Sequence, residues 1–271
     1  MKNIFLVLLT IVLLSSCGEF QKTYNGKDTD AKYKLAWELY EKGKYSKADQ
    51  LFSQVDVFYK NKPSYQRLLF ANAMSLYKMG FYVSAGEKFR KFTQLFPEST
   101  KAEEASYYIV LAYNKLSPKN SVDQAYTKRA IEEVASFIKK YPFSKYKKEI
   151  NAINKKLNHK LEEKDYTIAK QYYNLSRYKA AITAFNNYLI DFPGSSFTQE
   201  TLFYRYEAAS KLAINSVISK KEDRIKQAMG FYQNFIKKYP KTVYLKDAKK
   251  TYDKLQKELQ NMQNAIKLAT K

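Results

Sequence analysis

The chain is poor in the residues from which reactive sites are usually built. Among 271 residues there is one cysteine and one histidine. A lone cysteine cannot close a disulfide within the chain, so stability must come from packing. His159 has no second histidine with which to share a metal or complete a nucleophilic triad. Seven glycines and six prolines are few for this length, which disfavours a turn-rich β fold. No glycine-rich phosphate loop is present. The apolar run Ile4 to Leu14 spans eleven residues. As a helix it would rise about 16 Å, roughly half a bilayer's hydrocarbon core, and so is too short to span one.

Negative charge is also scarce. Lysine and arginine number 48 against 26 acids, a formal net charge of +22. Such an excess attracts nucleic acid, acidic lipid or acidic protein, and on a helical surface it also serves solubility. The doublets Glu103-Glu104, Glu132-Glu133 and Glu162-Glu163 place neighbours roughly 100° apart on a helix. They do not face each other as an acid–base pair would, and they read as solvated surface. His159 lies in the lysine-rich stretch 155–164 and reads the same way. No catalytic residue, metal site or cofactor is expected.

The N-terminus combines Lys2, the short apolar run and Leu14-Ser15-Ser16-Cys17-Gly18, the layout of a cleaved secretory signal. The Cys17 segment resembles the lipobox of bacterial lipoproteins. That resemblance implies cleavage before Cys17, acylation of its thiol and of the new amine, and anchoring by more than one acyl chain, where a single chain is marginal. Residues 1–16 are then signal peptide and 17–29 a polar, flexible tether. An envelope address leaves nucleic acid without a role as partner.

Beyond the tether an aromatic–proline pair recurs at Phe96-Pro97, Tyr141-Pro142, Phe192-Pro193 and Tyr239-Pro240, spaced 45, 51 and 47 residues apart. Each pair closes a segment of one pattern: Ala85 with Phe89 and Phe92, Ala130 with Val134 and Phe137, Ala181 with Phe185 and Tyr188, Ala228 with Tyr232 and Phe235. A first copy has Ala48, Phe52 and Val55. Offsets of four and three put these residues on one helix face. The alanine admits a neighbouring helix, and proline stops the helix. Gly43 and Gly80 precede such helices where a turn needs positive φ. Helices are expected at 30–42, 46–60, 65–79, 82–95, 100–116, 123–140, 144–160, 162–175, 178–191, 197–214, 222–238 and 243–267. Longer insertions are expected near 117–126 and 214–223.

The pattern is similar to the tetratricopeptide repeat, whose period is about 34 residues. Ala73, Leu76, Gly80, Tyr82, Ala85, Phe89 and Pro97 carry it in the second copy, and Ala169, Tyr172, Tyr178, Ala181, Phe185 and Pro193 in the fourth. The expected fold is all-α, a tetratricopeptide-like solenoid of about five helix-turn-helix repeats. N-terminal repeats would cover 30–160, and C-terminal repeats with a polar terminal helix 161–271. First helices of such repeats line a groove. The candidates for peptide capture are Tyr33, Trp37 and Tyr40 on the first helix and Phe70, Met74 and Tyr77 on the third, with Tyr166, Lys170 and Tyr173 repeating the pattern further on.

With Cys17 in its box, the Gly43-Lys44-Tyr45-Ser46-Lys47-Ala48 turn and the two Phe-Pro series, the whole chain resembles the BamD-type lipoproteins of the outer-membrane β-barrel assembly machinery. This resemblance implies a periplasm-facing scaffold tethered to the outer membrane. It would hold a BamA-like barrel-forming subunit chiefly by its C-terminal repeats, and receive the targeting segments of unfolded outer-membrane proteins on its N-terminal ones. The alternative is another tetratricopeptide lipoprotein that binds glycans or coordinates cell-wall synthesis.

Overall fold

A computed structural model describes residues 18–269. The signal peptide and Cys17 lie outside the described residues. The described chain is α-helical without strands: α1 (Thr29–Glu41), α2 (Tyr45–Tyr59), α3 (Tyr65–Lys78), α4 (Tyr82–Leu95), α5 (Ala102–Leu116), α6 (Ala125–Lys140), α7 (Lys147–Asn174), α8 (Tyr178–Asp191), α9 (Thr198–Ile214), α10 (Ile218–Lys238) and α11 (Leu245–Ala269). Pairing α1 with α2, and so on to α9 with α10, gives five hairpins and a terminal helix, the tetratricopeptide architecture read from the sequence. Two compact units result. Unit 1 runs to Pro118 and continues over Val122–Leu157; unit 2 runs from Asn158 and takes in Lys119–Ser121.

Each unit has its own core, built from the recurring Ala/aromatic positions. In unit 1, Ala48, Phe52, Val55, Ala85, Phe89, Phe92 and Ala130 are inaccessible to solvent. In unit 2 the same holds for Ala181, Phe185, Ala228 and Phe235. Each fully buried phenylalanine contributes on the order of 2–3 kcal/mol by removal of apolar surface from water. Within unit 1 the helices pack mainly on their sequence neighbours, α1 on α2 through α5 on α6.

The turns follow from local chemistry. Asp28 caps α1, its Oδ1 accepting the N–H groups of Asp30 and Ala31 at 2.9 Å. After each aromatic–proline stop a hydroxyl accepts the N–H two residues on: Ser99 from Lys101, Ser144 from Tyr146, Ser195 from Phe197 and Thr242 from Tyr244. These side chains steer the chain into the next helix, and Ser99 acts one turn ahead of α5, not as its cap. Gly43 and Gly80 adopt φ of 70° and 83° as expected. The equivalent turn before α8 is closed by Ser176 at φ 58°, a conformation that costs a non-glycine residue roughly 1 kcal/mol. Ser176→Gly is therefore expected to raise stability by about 0.5–1 kcal/mol, measured as a higher urea midpoint at unchanged slope.

Four expectations need correction. The helices expected at 144–160 and 162–175 are one continuous helix, α7, because 155–164 holds good helix formers and no glycine or proline to interrupt it. The insertion near 214–223 shrinks to a short turn, since α10 already starts at Ile218. Residues 18–25, expected within a flexible tether, are helical, and Phe20 and Tyr24, one turn apart, pack against the unit 1 core. Glu133, expected as solvated surface, is buried and bonded to Arg90 at 2.9 Å and to Arg129 at 3.0 Å.

Candidate protein-binding cleft

In unit 1 the first helices of the first two hairpins, α1 and α3, expose aromatic rings side by side. Trp37, Tyr40 and Phe70, with Pro63, Gln66, Arg67, Ala71, Phe92 and Lys101, line a cleft of 420 Å³. Packing from behind holds the rings. Trp37 meets Phe52 edge-on at 5.3 Å and Tyr40 at 5.6 Å, and Phe70 meets Phe89 and Phe92 at 5.5 Å. Two cations stand at the lip. The Arg67 guanidinium lies 4.0 Å from the centre of the Trp37 ring and the Lys101 ammonium 5.4 Å from that of Phe70. Lys101 is also paired with Glu104 at 2.7 Å. Burial pushes the Tyr40 phenol above its ordinary value, so it stays an O–H donor at neutral pH.

Three of the six groove candidates thus meet in the cleft. Tyr33 is instead stacked flat on Tyr59, 4.4 Å away, where the Tyr59 hydroxyl donates to Asp30 at 2.7 Å. Met74 is a core residue, 6% exposed. Tyr77 is held edge-on between Tyr82 and Tyr108. In unit 2 Tyr166 is buried against Phe197, and Lys170 and Tyr173 pack on Tyr204.

Arg67, Gln66 and Lys101 were missed, and for Lys101 the signal was present. The turns Ser144-Lys145-Tyr146, Ser195-Ser196-Phe197 and Thr242-Val243-Tyr244 each end in an aromatic residue that stacks on a ring of a preceding first helix. Tyr146 covers Tyr107 at 4.0 Å, Phe197 covers Tyr166 at 5.0 Å, and Tyr244 covers Phe203 at 4.2 Å. At Ser99-Thr100-Lys101 the ring is replaced by an ammonium. The face of Phe70 that a ring would have covered is left for the cleft.

Unit 2 presents a second, more open surface of 740 Å³ around Tyr172, Arg177, Tyr178, Ala180, Ala184 and Leu212. Its floor is the outer side of α8, a helix in which only Lys179 and Asp191 are charged, although 27% of the chain is. Ile190 on this helix is 76% exposed.

Among the described residues no group of three or more His, Cys, Asp or Glu could hold a metal ion. His159 is stacked on Phe197 with half its side chain in solvent. No described helix is long and apolar enough to cross a membrane.

Comparison with known proteins decides the family. The profile of YfiO, the outer membrane lipoprotein family, matches residues 25–224. The chain belongs to this family of outer membrane lipoproteins. A tetratricopeptide repeat profile matches residues 217–242, which are α10 and the turn after it. A relative from Caulobacter vibrioides, outer membrane protein assembly factor BamD, is 22% identical over 212 residues, covering 77% of this chain and 70% of its own. The BamD-type resemblance read from Cys17 and the repeats agrees with both findings. Among solved structures, the TPR2AB-domain:pHSP90 complex of yeast Sti1 is 17% identical, with a TM-score of 0.40, covering 89% of this chain and 96% of that one. A tetratricopeptide protein of Thermus thermophilus is 16% identical, with a TM-score of 0.31, covering 84% and 98%.

Proposed function

We propose that the chain is a lipid-anchored, periplasm-facing scaffold that helps insert β-barrel proteins into the outer membrane, acting by binding and not by catalysis. Membership of the outer membrane lipoprotein family and the assembly-factor relative support this reading. Cys17 would carry the lipid. The N-terminal repeats, 30–160, would receive targeting segments of unfolded barrel proteins, and the C-terminal repeats, 161–271, would hold a BamA-like barrel subunit.

The observation that carries the proposal is the cleft of Trp37, Tyr40 and Phe70 beneath Arg67 and Lys101. Its rings suit an aromatic or large apolar side chain of an extended segment. The lip cations suit a carboxylate nearby, which favours a peptide over a neutral glycan. The outer side of α8 suits a protein partner because Tyr178, Ala180 and Ala184 form an apolar strip with the cations Arg177 and Lys179 at one end of it, an apolar centre with charge at the edge.

Depletion of the protein in cells is expected to lower the level of outer-membrane barrel proteins, and affinity capture from membranes to recover a barrel-forming subunit. Unchanged barrel levels, with no barrel subunit among the captured chains, would refute the assignment. Cys17→Ala is expected to abolish palmitate incorporation, while incorporation that persists would move the anchor elsewhere.

A further inference from the structure

The four aromatic–proline turns fall into two chemical kinds. Before Phe96 and Phe192 stand Gln94-Leu95 and Ile190-Asp191. Tyr141 and Tyr239 instead lie in one shared hexapeptide, Phe-Ile-Lys-Lys-Tyr-Pro, at 137–142 and again at 235–240. The residues after these two prolines also set them apart from the other turns. In unit 1, Phe143 is 97% exposed, and the lysines around it, Lys139, Lys140, Lys145, Lys147 and Lys148, are all exposed. In unit 2, Val243 is 82% exposed, among exposed Lys237, Lys238, Lys241, Lys246 and Lys249. The acids nearest the first turn are engaged: Glu103 accepts from Ser144 at 2.6 Å and Glu149 from Tyr107 at 2.8 Å.

We propose that each of these two lysine-ringed turns is a peripheral contact for an anionic phospholipid surface, with Phe143 or Val243 entering the headgroup layer. Phe143 is the most exposed large apolar side chain among the described residues, and the lysines on both sides of it in the chain give its turn a strong positive field. A protein interface would need a broad apolar patch around it, with its charge at the rim, and here a single uncovered ring stands on a turn whose flanking residues are exposed lysines, two of which, Lys140 and Lys145, lie over Tyr141 and Tyr146. That arrangement matches a headgroup layer. Long lysine side chains meet a diffuse negative field without fixed geometry, and one apolar wedge enters the acyl boundary. Each lysine close to an anionic surface raises binding roughly five-fold. The family places a membrane next to the protein. The contact is separate from the acyl anchor and from the Trp37 cleft.

The test uses the chain from Gly18 onward, which contains both cores and no acyl chain. It is sedimented with phosphatidylcholine vesicles, with and without phosphatidylglycerol. Binding is expected only to the anionic vesicles and is expected to weaken as salt rises. Phe143→Ser should weaken it about ten-fold, from the lost burial of one ring, with an unchanged thermal melt because the ring is almost wholly in solvent. Phe143→Trp should keep the binding and show emission shifted to the blue on the vesicles relative to the same variant in buffer. Equal binding to neutral vesicles, no binding, an unaffected Phe143→Ser variant, or an unshifted Phe143→Trp would each overturn the proposal. So would capture of a poly-glutamate peptide with the vesicles left unbound. The vesicles hold no protein, so the outcome is independent of whether a barrel subunit is a partner.

Discussion

Trp37→Ala is expected to weaken binding of a barrel-protein targeting peptide by about 30-fold or more, the loss of one aromatic anchor of about 2 kcal/mol. The ring forms one wall of the cleft, and Arg67 lies over its face at 4.0 Å, so its removal takes away the stacking surface and the seat of the cation together. Trp37 also packs on Phe52, and a loss of binding could be confused with a loosened hairpin. Arg67→Gln separates the two. Arg67 is exposed, so this change should leave the melt unaltered while lowering affinity about five-fold, and the salt dependence of binding should flatten. Fluorescence anisotropy of a labelled C-terminal peptide from an outer-membrane barrel protein measures both. A peptide that binds Trp37→Ala and Arg67→Gln as tightly as the parent would remove the cleft from the mechanism. Tyr172→Ala, on the open surface of unit 2, serves as the control and should not alter peptide affinity.

The second large effect concerns stability. Glu133→Ala is expected to destabilise unit 1 by about 1–3 kcal/mol, because removing the buried partner of an ion pair leaves Arg90 with only the exposed Glu87, 3.8 Å away. The Glu133 side chain is 9% exposed and joins Arg90, on α4, to Arg129, on its own helix α6. Arg90 is 25% exposed, so water takes up part of the loss, which is why the range sits below that of fully buried pairs. Arg129 keeps Glu132 at 3.1 Å and is 43% exposed, so it contributes little to the deficit. The same reasoning fixes the sign for the double variant. Glu133→Leu with Arg90→Leu removes both charges and should recover most of the loss. Urea unfolding of the single and double variants gives the coupling. A single variant within about 0.5 kcal/mol of the parent, the range usual for exposed sites, would show that the pair is solvated in solution.

How far the sequence could be read depended on the range of the interaction. Ala85, Phe89 and Phe92 could be assigned to the core because a helix brings residues four and three apart onto one face whatever surrounds it. The positive φ at Gly43 and Gly80 is equally local. Ser176 at the same turn position could not be foreseen from composition, since nothing in a serine announces a left-handed conformation. Two helices were expected where α7 runs on through 160–162; it continues because no glycine, proline or competing cap stands there to end it. Lys101 could have been found by aligning the Ser-x-aromatic turns and noting where the ring is missing. Tyr33, Trp37, Tyr40, Phe70, Met74 and Tyr77 form two alike stripes, yet the structure sorts them into one ring stacked on Tyr59, a core residue, an edge-packed ring and three cleft residues.

From the amino-acid order alone came the helical hairpins, their aromatic–alanine seams and the stops at proline, which rest on contacts within a few turns of one chain segment, and the lipobox and family resemblance, which rest on the order of residues itself. Only the folded arrangement decided which aromatic face is covered by a neighbouring ring and which remains open, that Glu133 is buried between two arginines, and that Phe143 stands clear of everything around it. The physical reason is that periodicity identifies the apolar side of a helix but carries no information about which other helix, or what else, lies against it.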